Sequence, residues 1–207
     1  MPPKIKFQEE DIVKAAMNIT QRKGIEAVTA REVASELGGS TRPIFNWFAT
    51  IEELKAEVYN QARLCYRNYI QEGLRGPRPF LGVGQQYIRF AREKTELYKL
   101  LFLRKPSGVS GGAIDTMKYS QDLVRESIME IYHLDASAAD NYFRNLWLVA
   151  YGFATLIVTD DCPYTDQEIS NIFSEISLAI CKAYKEVPGL VEGNYDKDGI
   201  FKELVNK

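Results

Sequence analysis

Apolar positions recur every three or four residues along almost the whole chain, and no stretch alternates as a half-buried strand requires. The expected fold is therefore all-α. A first helix starts at Glu9, Glu10 and Asp11, where acids suit the positive end of a helix dipole, and stops at Gly24. Ile12, Ala16 and Ile19 form its apolar stripe, with Val13 and Met17 beside it. Residues 30–37 form a second helix that buries Val33, Ala34 and Leu37. Residues 41–48 form a third that buries Ile44 and Phe48, one turn apart. A longer helix over 51–73 carries Leu54, Val58, Ala62 and Cys65 on one face. Further helical periods fall at 79–93, 94–104, 113–133, 136–160 and 165–185, and Ile200, Phe201, Leu204 and Val205 suit one or two terminal turns.

The punctuation between these helices has chemical content. Thr29 with Glu32 and Thr50 with Glu53 are T-x-x-E pairs, in which the hydroxyl accepts from the third residue's N–H while the carboxylate reaches back. Gly38 suits a left-handed helix stop, and Ser40 a cap for the next helix. Two short helices across a tight turn form the unit that lays its second helix in a DNA major groove. The break GLRGPRP at 73–79 sets the expected division: a DNA-binding domain over 1–50, a connector helix over 51–73, and a larger C-terminal helical domain over 74–207. The loop RKPSGVSGG, 104–112, is expected to be the most flexible internal segment.

Composition changes this picture little. With 207 residues, 45% of them hydrophobic, the chain has the make-up of a soluble globular protein of one large or two small domains. Residues 1–11 lack the apolar run of a secretory signal. The longest uncharged apolar run, Leu146 to Val158, falls short of the roughly 18 residues a membrane span needs. Cytoplasmic localisation, with no membrane partner, is the expectation. Cys65, Cys162 and Cys181 lack metal-ligand spacing and read as reduced thiols. With His133 as the single histidine, near a helix end, no metal site or cofactor is expected. No nucleophile–base pair and no Gly-rich phosphate loop appears, so no enzyme is expected. Residues 1–60 hold eight Lys/Arg against nine Asp/Glu, so DNA binding has to rest on a local basic face and carry a modest salt dependence.

The stretch IVKAAMNITQRKGIEAVTAREVASELGGSTRPIFNWFATIEELK resembles the N-terminal domain of the TetR family, the tetracycline-repressor-like regulators of bacteria. The resemblance rests on a first helix ending in Gly, a Thr-capped second helix and a Gly-x-Ser turn. It continues through a recognition helix ending aromatic-x-x-Phe (Phe45 to Phe48) and the acidic start Glu52-Glu53-Leu54. It covers about residues 5–65; beyond them only the layout is shared, with the last two long helices expected to build a homodimer. Geometry and resemblance together imply the DNA contacts. Thr41 and Arg42 open the recognition helix, and Arg42 suits either a bidentate contact to guanine or a phosphate clamp. Phe45 matches the position that packs on bases. Asn46 and Trp47 would donate to phosphates, Trp47 equally well being a packing residue. Thr29 and Arg31 sit where a helix N-terminus attracts phosphate, Arg31 equally well being a solvated arginine. Two departures stand out. Ile51 replaces a lysine that commonly grips phosphate, leaving Lys55 as substitute, and Pro43 removes an N–H that Ser40 would cap, so that Ser40 caps Arg42 or binds phosphate itself.

In the C-terminal half, Tyr66, Tyr69, Tyr87, Phe90, Tyr98, Phe102, Met117, Trp147 and Tyr151 either line a ligand cavity or fill a core. Ala150, Gly152 and Ala154, with the stripe Ile169, Ile172, Phe173, Ile176 and Ile180, mark an expected four-helix dimer seam. The implied function is that of a homodimeric repressor. It would bind a pseudo-palindromic operator in double-stranded DNA and be released by a partly apolar small molecule. The alternative is a family member that has lost operator binding and acts as a ligand- or protein-binding helical dimer.

Overall fold

A computed structural model describes residues 7–76, 79–104 and 111–206, and every regular element among them is helical. Helix α1 (Glu9–Lys23) buries Ile12, Val13, Ala15, Ala16 and Ile19 and has its acidic first turn tied by Gln8 N–H donating to the Asp11 carboxylate at 2.9 Å. Gly24 ends it at φ 82, a conformation that favours glycine. Helix α2 (Ala30–Glu36) packs Val33 and Ala34 inward. Helix α3 (Ile51–Leu74) is the long connector, and α4 (Pro79–Glu93) returns against it. Helix α5 (Thr95–Tyr98) follows, then α6 (Ala113–Tyr132), α7 (Ala136–Val158), α8 (Asp166–Glu186) and α9 (Lys197–Val205).

The threonine pairs cap as expected through their hydroxyls but not through their carboxylates. Thr29 accepts from Glu32 N–H at 3.2 Å, while the Glu32 carboxylate pairs with Lys23. Thr50 accepts from Glu53 N–H, and the Glu53 carboxylate takes Ala49 N–H, one residue before the cap. The reciprocal box forms instead at α8, between Thr165 and Glu168. There the Thr165 backbone N–H, then its hydroxyl, hold the Glu168 carboxyl below its usual range.

The buried stripe of α3 is Leu54, Val58, Ala62, Tyr66 and Ile70, a run of i+4 steps. Cys65, expected on this face, is half-buried, and Tyr66 occupies the core beside it. Tyr66 Oη and Ser120 Oγ lie 2.9 Å apart, and Tyr59 Oη and Thr116 Oγ1 3.4 Å apart, so buried hydroxyls register α3 against α6. Where α3 crosses α4 the two backbones touch. A Cβ at Gly73 would lie 2.6 Å from Gly82 C and Val83 N, so only glycine permits this approach.

The helix expected over 94–104 breaks in character. After α5 the chain widens into a π turn, Lys99–Leu103. Leu97, Tyr98, Leu100, Leu101 and Phe102 are all buried, a set that one α-helical stripe cannot face inward. Side chains attend the loosened carbonyls: Thr116 Oγ1 donates to Leu101 O at 3.3 Å, and Tyr151 Oη to Phe102 O at 3.5 Å. The loop expected to be flexible lies mostly outside the described residues, and so does part of the 73–79 break. At the far end, α9 forms from Lys197 to Val205, but its apolar set stays outside: Phe201, Leu204 and Val205 are exposed. His133 is exposed in the left-handed cap of α6.

Candidate DNA interface and ligand cavity

Helix α2 closes with paired bonds, Gly39 N–H to Ala34 O and Gly38 N–H to Ser35 O, around Gly38 at φ 63. This is the left-handed stop that Gly38 was expected to make. The recognition segment differs from expectation. Instead of an α-helix over 41–48 there is a short 3-10 turn, Ile44–Asn46, held by Ile44 N–H to Thr41 O and Trp47 N–H to Ile44 O. Pro43 supplies no N–H, and the i+3 bonds around it draw the turn tight. Among the described residues no hydrogen bond runs from Arg42 N–H to Ser40, so the expected cap is not formed and the phosphate role is the one left to Ser40. Ile44 and Phe48 are nevertheless buried as the spacing required, and that burial fixes which side chains face out. Thr41, Arg42, Phe45, Asn46 and Trp47 are all exposed.

The local charge is thinner than the sequence count. Arg22 pairs with Glu36 and Lys23 with Glu32, so acids of α2 neutralise two cations of α1. Arg31 and Arg42 are exposed and have no carboxylate partner among the described residues. Lys55 is half-buried on α3. The Thr29 oxygen is occupied as an acceptor, which leaves its O–H to donate outward from the N-terminus of α2. Trp47 departs from its expected phosphate contact: its indole N–H donates to the Phe7 carbonyl at 3.2 Å, tying the start of the chain to the recognition turn. Phe45, 48% exposed and with no ring partner among the described residues, is an apolar side chain this face presents.

Behind this unit, α3, α4, α6, α7 and α8 enclose a cavity of about 580 Å³. That is within the range of drug-sized ligand sites. Tyr66 and Ile70 of α3 form one wall; Phe80, Leu81, Val83, Gly84 and Tyr87 of α4 form the next. Ile131 and Tyr132, then Phe143, Leu146, Trp147 and Ala150, and Phe173, Ser174, Ser177, Leu178 and Cys181 complete it. The lining reaches the surface at Ile131 and Leu178.

Of the aromatics expected at a ligand site, Tyr66, Tyr87 and Trp147 line this cavity. Phe90, Tyr98 and Phe102 are core: Tyr66 meets Phe90 at 5.2 Å and Phe102 at 5.3 Å, and Tyr98 meets Phe102 at 4.8 Å between ring centroids. Met117 is buried away from the lining, and Tyr151 stacks on Trp147 from behind at 5.1 Å. Tyr69 sits at the edge and donates to Glu93 at 2.8 Å. Burial and then the Glu93 carboxylate push its phenol up to about 12. The residues missed, such as Phe80, Gly84 and Ser177, come from helices that only tertiary packing brings to Tyr66.

Two family patterns match the chain. "Bacterial regulatory proteins, tetR family" matches residues 12–58, and "Tetracyclin repressor-like, C-terminal domain" matches residues 80–176. The chain belongs to the TetR family. It is a DNA-binding transcription regulator, all-α, with the recognition turn in its first matched segment and most of the cavity lining in its second.

Solved structures share this TetR fold. A transcriptional regulator from Rhodococcus sp. Rha1 superposes with a TM-score of 0.63 at 15% identity, covering 86% of this chain and 97% of that one. A TetR family member from Streptomyces coelicolor A3 gives 0.58 at 19% identity, covering 84% and 98%. The multidrug binding protein EbrR, complexed with imidazole, gives 0.55 at 18% identity, covering 85% and 96%. No curated protein matches the chain.

Within this TetR chain, the residues expected at a dimer seam divide. Ala150, Ala154, Ile169 and Phe173 are buried inside the subunit, and Ala150 and Phe173 line the cavity. They are core: Ala150 and Ala154 are buried on α7, and Ile169 and Phe173 on the α8 face turned inward, where Phe173 meets Phe153 of α7 and lies beside Gly84 of α4. Gly152 is exposed with open space where a Cβ would be, and Ile172, Ile176 and Ile180 are half-buried. Leu148 and Leu178, at 55% and 69% exposure, are the large apolar side chains beside them. Besides α3, polar side chains link the two halves. Lys94 donates to Gln21 at 2.9 Å, and Arg104 pairs with Glu26 at 3.2 Å, so the α5 region leans on α1. Among the described residues no helix is long and apolar enough to cross a membrane.

Proposed function

We propose that this TetR protein is a homodimeric repressor that leaves a pseudo-palindromic operator when a small, largely apolar molecule enters the α3–α8 cavity. One observation carries the reading: α3 both walls the cavity, through Tyr66 and Ile70, and starts three residues after Phe48 closes the recognition turn. A ligand that shifts α3 therefore shifts the turn. The buried Phe102 ring, 6.5 Å from Trp147, gives a second path through the π turn to Arg104 and Glu26. EbrR, of the same fold, has been solved with imidazole and with ethidium, which supports a small-molecule effector here. In the DNA-competent dimer the two turns sit about one helical repeat apart, roughly 34–36 Å. A ligand that prefers another spacing by about 1–3 kcal/mol would release DNA five- to 150-fold.

Thr29, Arg31, Ser40, Thr41, Arg42, Phe45, Asn46 and Lys55 form the proposed contact face, with Arg42 on a base edge or a phosphate. Leu148, Gly152, Ile172, Ile176, Leu178 and Ile180 form the proposed seam. A cytoplasmic site of action follows from operator binding. The pairing of Arg22 and Lys23 with α2 acids favours a second reading, a member that keeps the dimer and has lost its operator. Sequencing genomic fragments retained by the purified protein decides between them. Enrichment of a palindromic site supports the repressor, and random recovery supports the second reading.

A further inference from the structure

We infer that the cavity selects an uncharged, largely apolar ligand with one hydrogen-bond acceptor, which accepts from the Trp147 indole N–H. The inference rests on the ligand-responsive reading above. Its first ground is the lining: none of the residues around the cavity is Asp, Glu, Lys, Arg or His. A charged guest would lose its hydration with no counter-ion in reach, and buried charges are tolerated only when paired. Aromatic walls attract a cation through their faces, but that attraction is smaller than the unpaired desolvation it would have to offset. Tyr66 and Tyr87 supply no charge either, since burial raises their phenols.

The second ground is one orphaned donor. The other hydroxyls of the wall are engaged: Tyr66 with Ser120, Tyr87 with Tyr98, Tyr132 with Tyr142, Ser177 with Tyr142 at 2.6 Å, and Ser174 with Ser170 O; the Cys181 thiol is only a weak donor. Trp147 Nε1 is buried and has no partner among the described residues, though the side chain is only 5% exposed. A buried indole N–H ordinarily finds an acceptor. Stacking on Tyr151 at an interplanar angle of 28° fixes the ring that carries it. A donor without acceptor character, held rigidly in an apolar wall, selects a carbonyl or ether oxygen and rejects a second donor.

The test uses the full chain and prodan, an uncharged fluorescent naphthyl ketone, with ethidium as a permanent cation. Wild-type protein is expected to bind prodan saturably, at least tenfold more tightly than ethidium and more tightly than the prodan analogue whose ketone is reduced to methylene. Trp147→Phe keeps an aromatic ring, smaller than the indole, and removes the donor; it should weaken prodan about two- to tenfold and erase the preference for the ketone. Gly84→Leu localises the site. A Cβ there meets only Phe173 Cε1, at 4.0 Å, so the added side chain fills the cavity and should abolish binding. Absent prodan binding, equal or tighter ethidium binding, or no preference for the ketone in wild type would each overturn the inference. Prodan that binds as described but leaves the protein–DNA complex intact in a gel shift overturns the release reading alone.

Discussion

Gly73→Ala tests whether the α3–α4 crossing is as tight as its geometry indicates. A Cβ at this position lies 2.6 Å from two backbone atoms of α4, Gly82 C and Val83 N, neither of which can rotate away. Ordinary contact requires the helices to separate by roughly 1 Å, and overpacking of this kind costs about 1–3 kcal/mol. Alanine's better helix propensity offsets about 0.5–1 kcal/mol of that. The net loss centres on about 1 kcal/mol, or a melting temperature lowered by roughly 2–4 °C for a chain of this size. Urea denaturation followed by far-UV circular dichroism measures it. Because α3 also walls the cavity, the variant should bind prodan more weakly as Tyr66 and Ile70 shift. A variant as stable as wild type, or more stable, refutes the close-approach argument.

Gly152→Ala is the contrasting case: it is exposed in mid-helix with nothing within 4 Å of a Cβ, so it should stabilise the subunit by about 0.5–1 kcal/mol. Gly152→Leu should leave that stability intact yet shift sedimentation toward monomer, and an unchanged dimer removes Gly152 from the seam. Asp140 is held below the usual carboxyl value of 3.8: burial pushes it up, but hydrogen bonds from Arg125 and Gln121 outweigh that. A lowered folded pKa stabilises above the usual value and is lost as pH falls through the folded one. Asp140→Asn should therefore lose at most about 1 kcal/mol near pH 7, discounted because both partners are a third exposed, and the gap from wild type should close in acid melts below about pH 4. Pro43, at φ −59, restrains the unfolded chain without straining the turn. Pro43→Ala should destabilise by about 0.4–1 kcal/mol in the same urea assay, and a gain would show strain instead.

Helix positions were legible because burial in an all-α fold follows the 3.6-residue period, and Gly24, Gly38 and Thr50 mark their ends with backbone chemistry of their own. The recognition turn shows the limit. Ile44 and Phe48 face the core whether the segment is α-helical or 3-10, so the apolar spacing carried no information on the hydrogen bonds, which Pro43 decides. The cavity was legible only in part, because an aromatic ring that lines a cavity and one that fills a core obey the same periodicity. Tyr66 does both, meeting Phe90 and Phe102 on one side and the cavity on the other. On α8 the stripe from Ile169 to Ile180 is wider than a single contact, so its edges turn outward while Ile169 and Phe173 go in. The sequence leaves the indole of Trp47 either donating to phosphate or packing, and Phe7, forty residues away in sequence, offers it a carbonyl that no local pattern reveals.

The central claim is that this recognition turn reads DNA through a few exposed groups rather than bulk charge. Titrating the retained operator fragment against wild type and Arg42→Ala, at one fixed salt concentration, tests it most directly. Arg42→Ala is expected to lose about 1–3 kcal/mol, with one base-pair preference relaxed if the guanidinium reads a base, or an equal loss on all sequences if it grips phosphate. Operator affinity unchanged by Arg42→Ala would contradict the account.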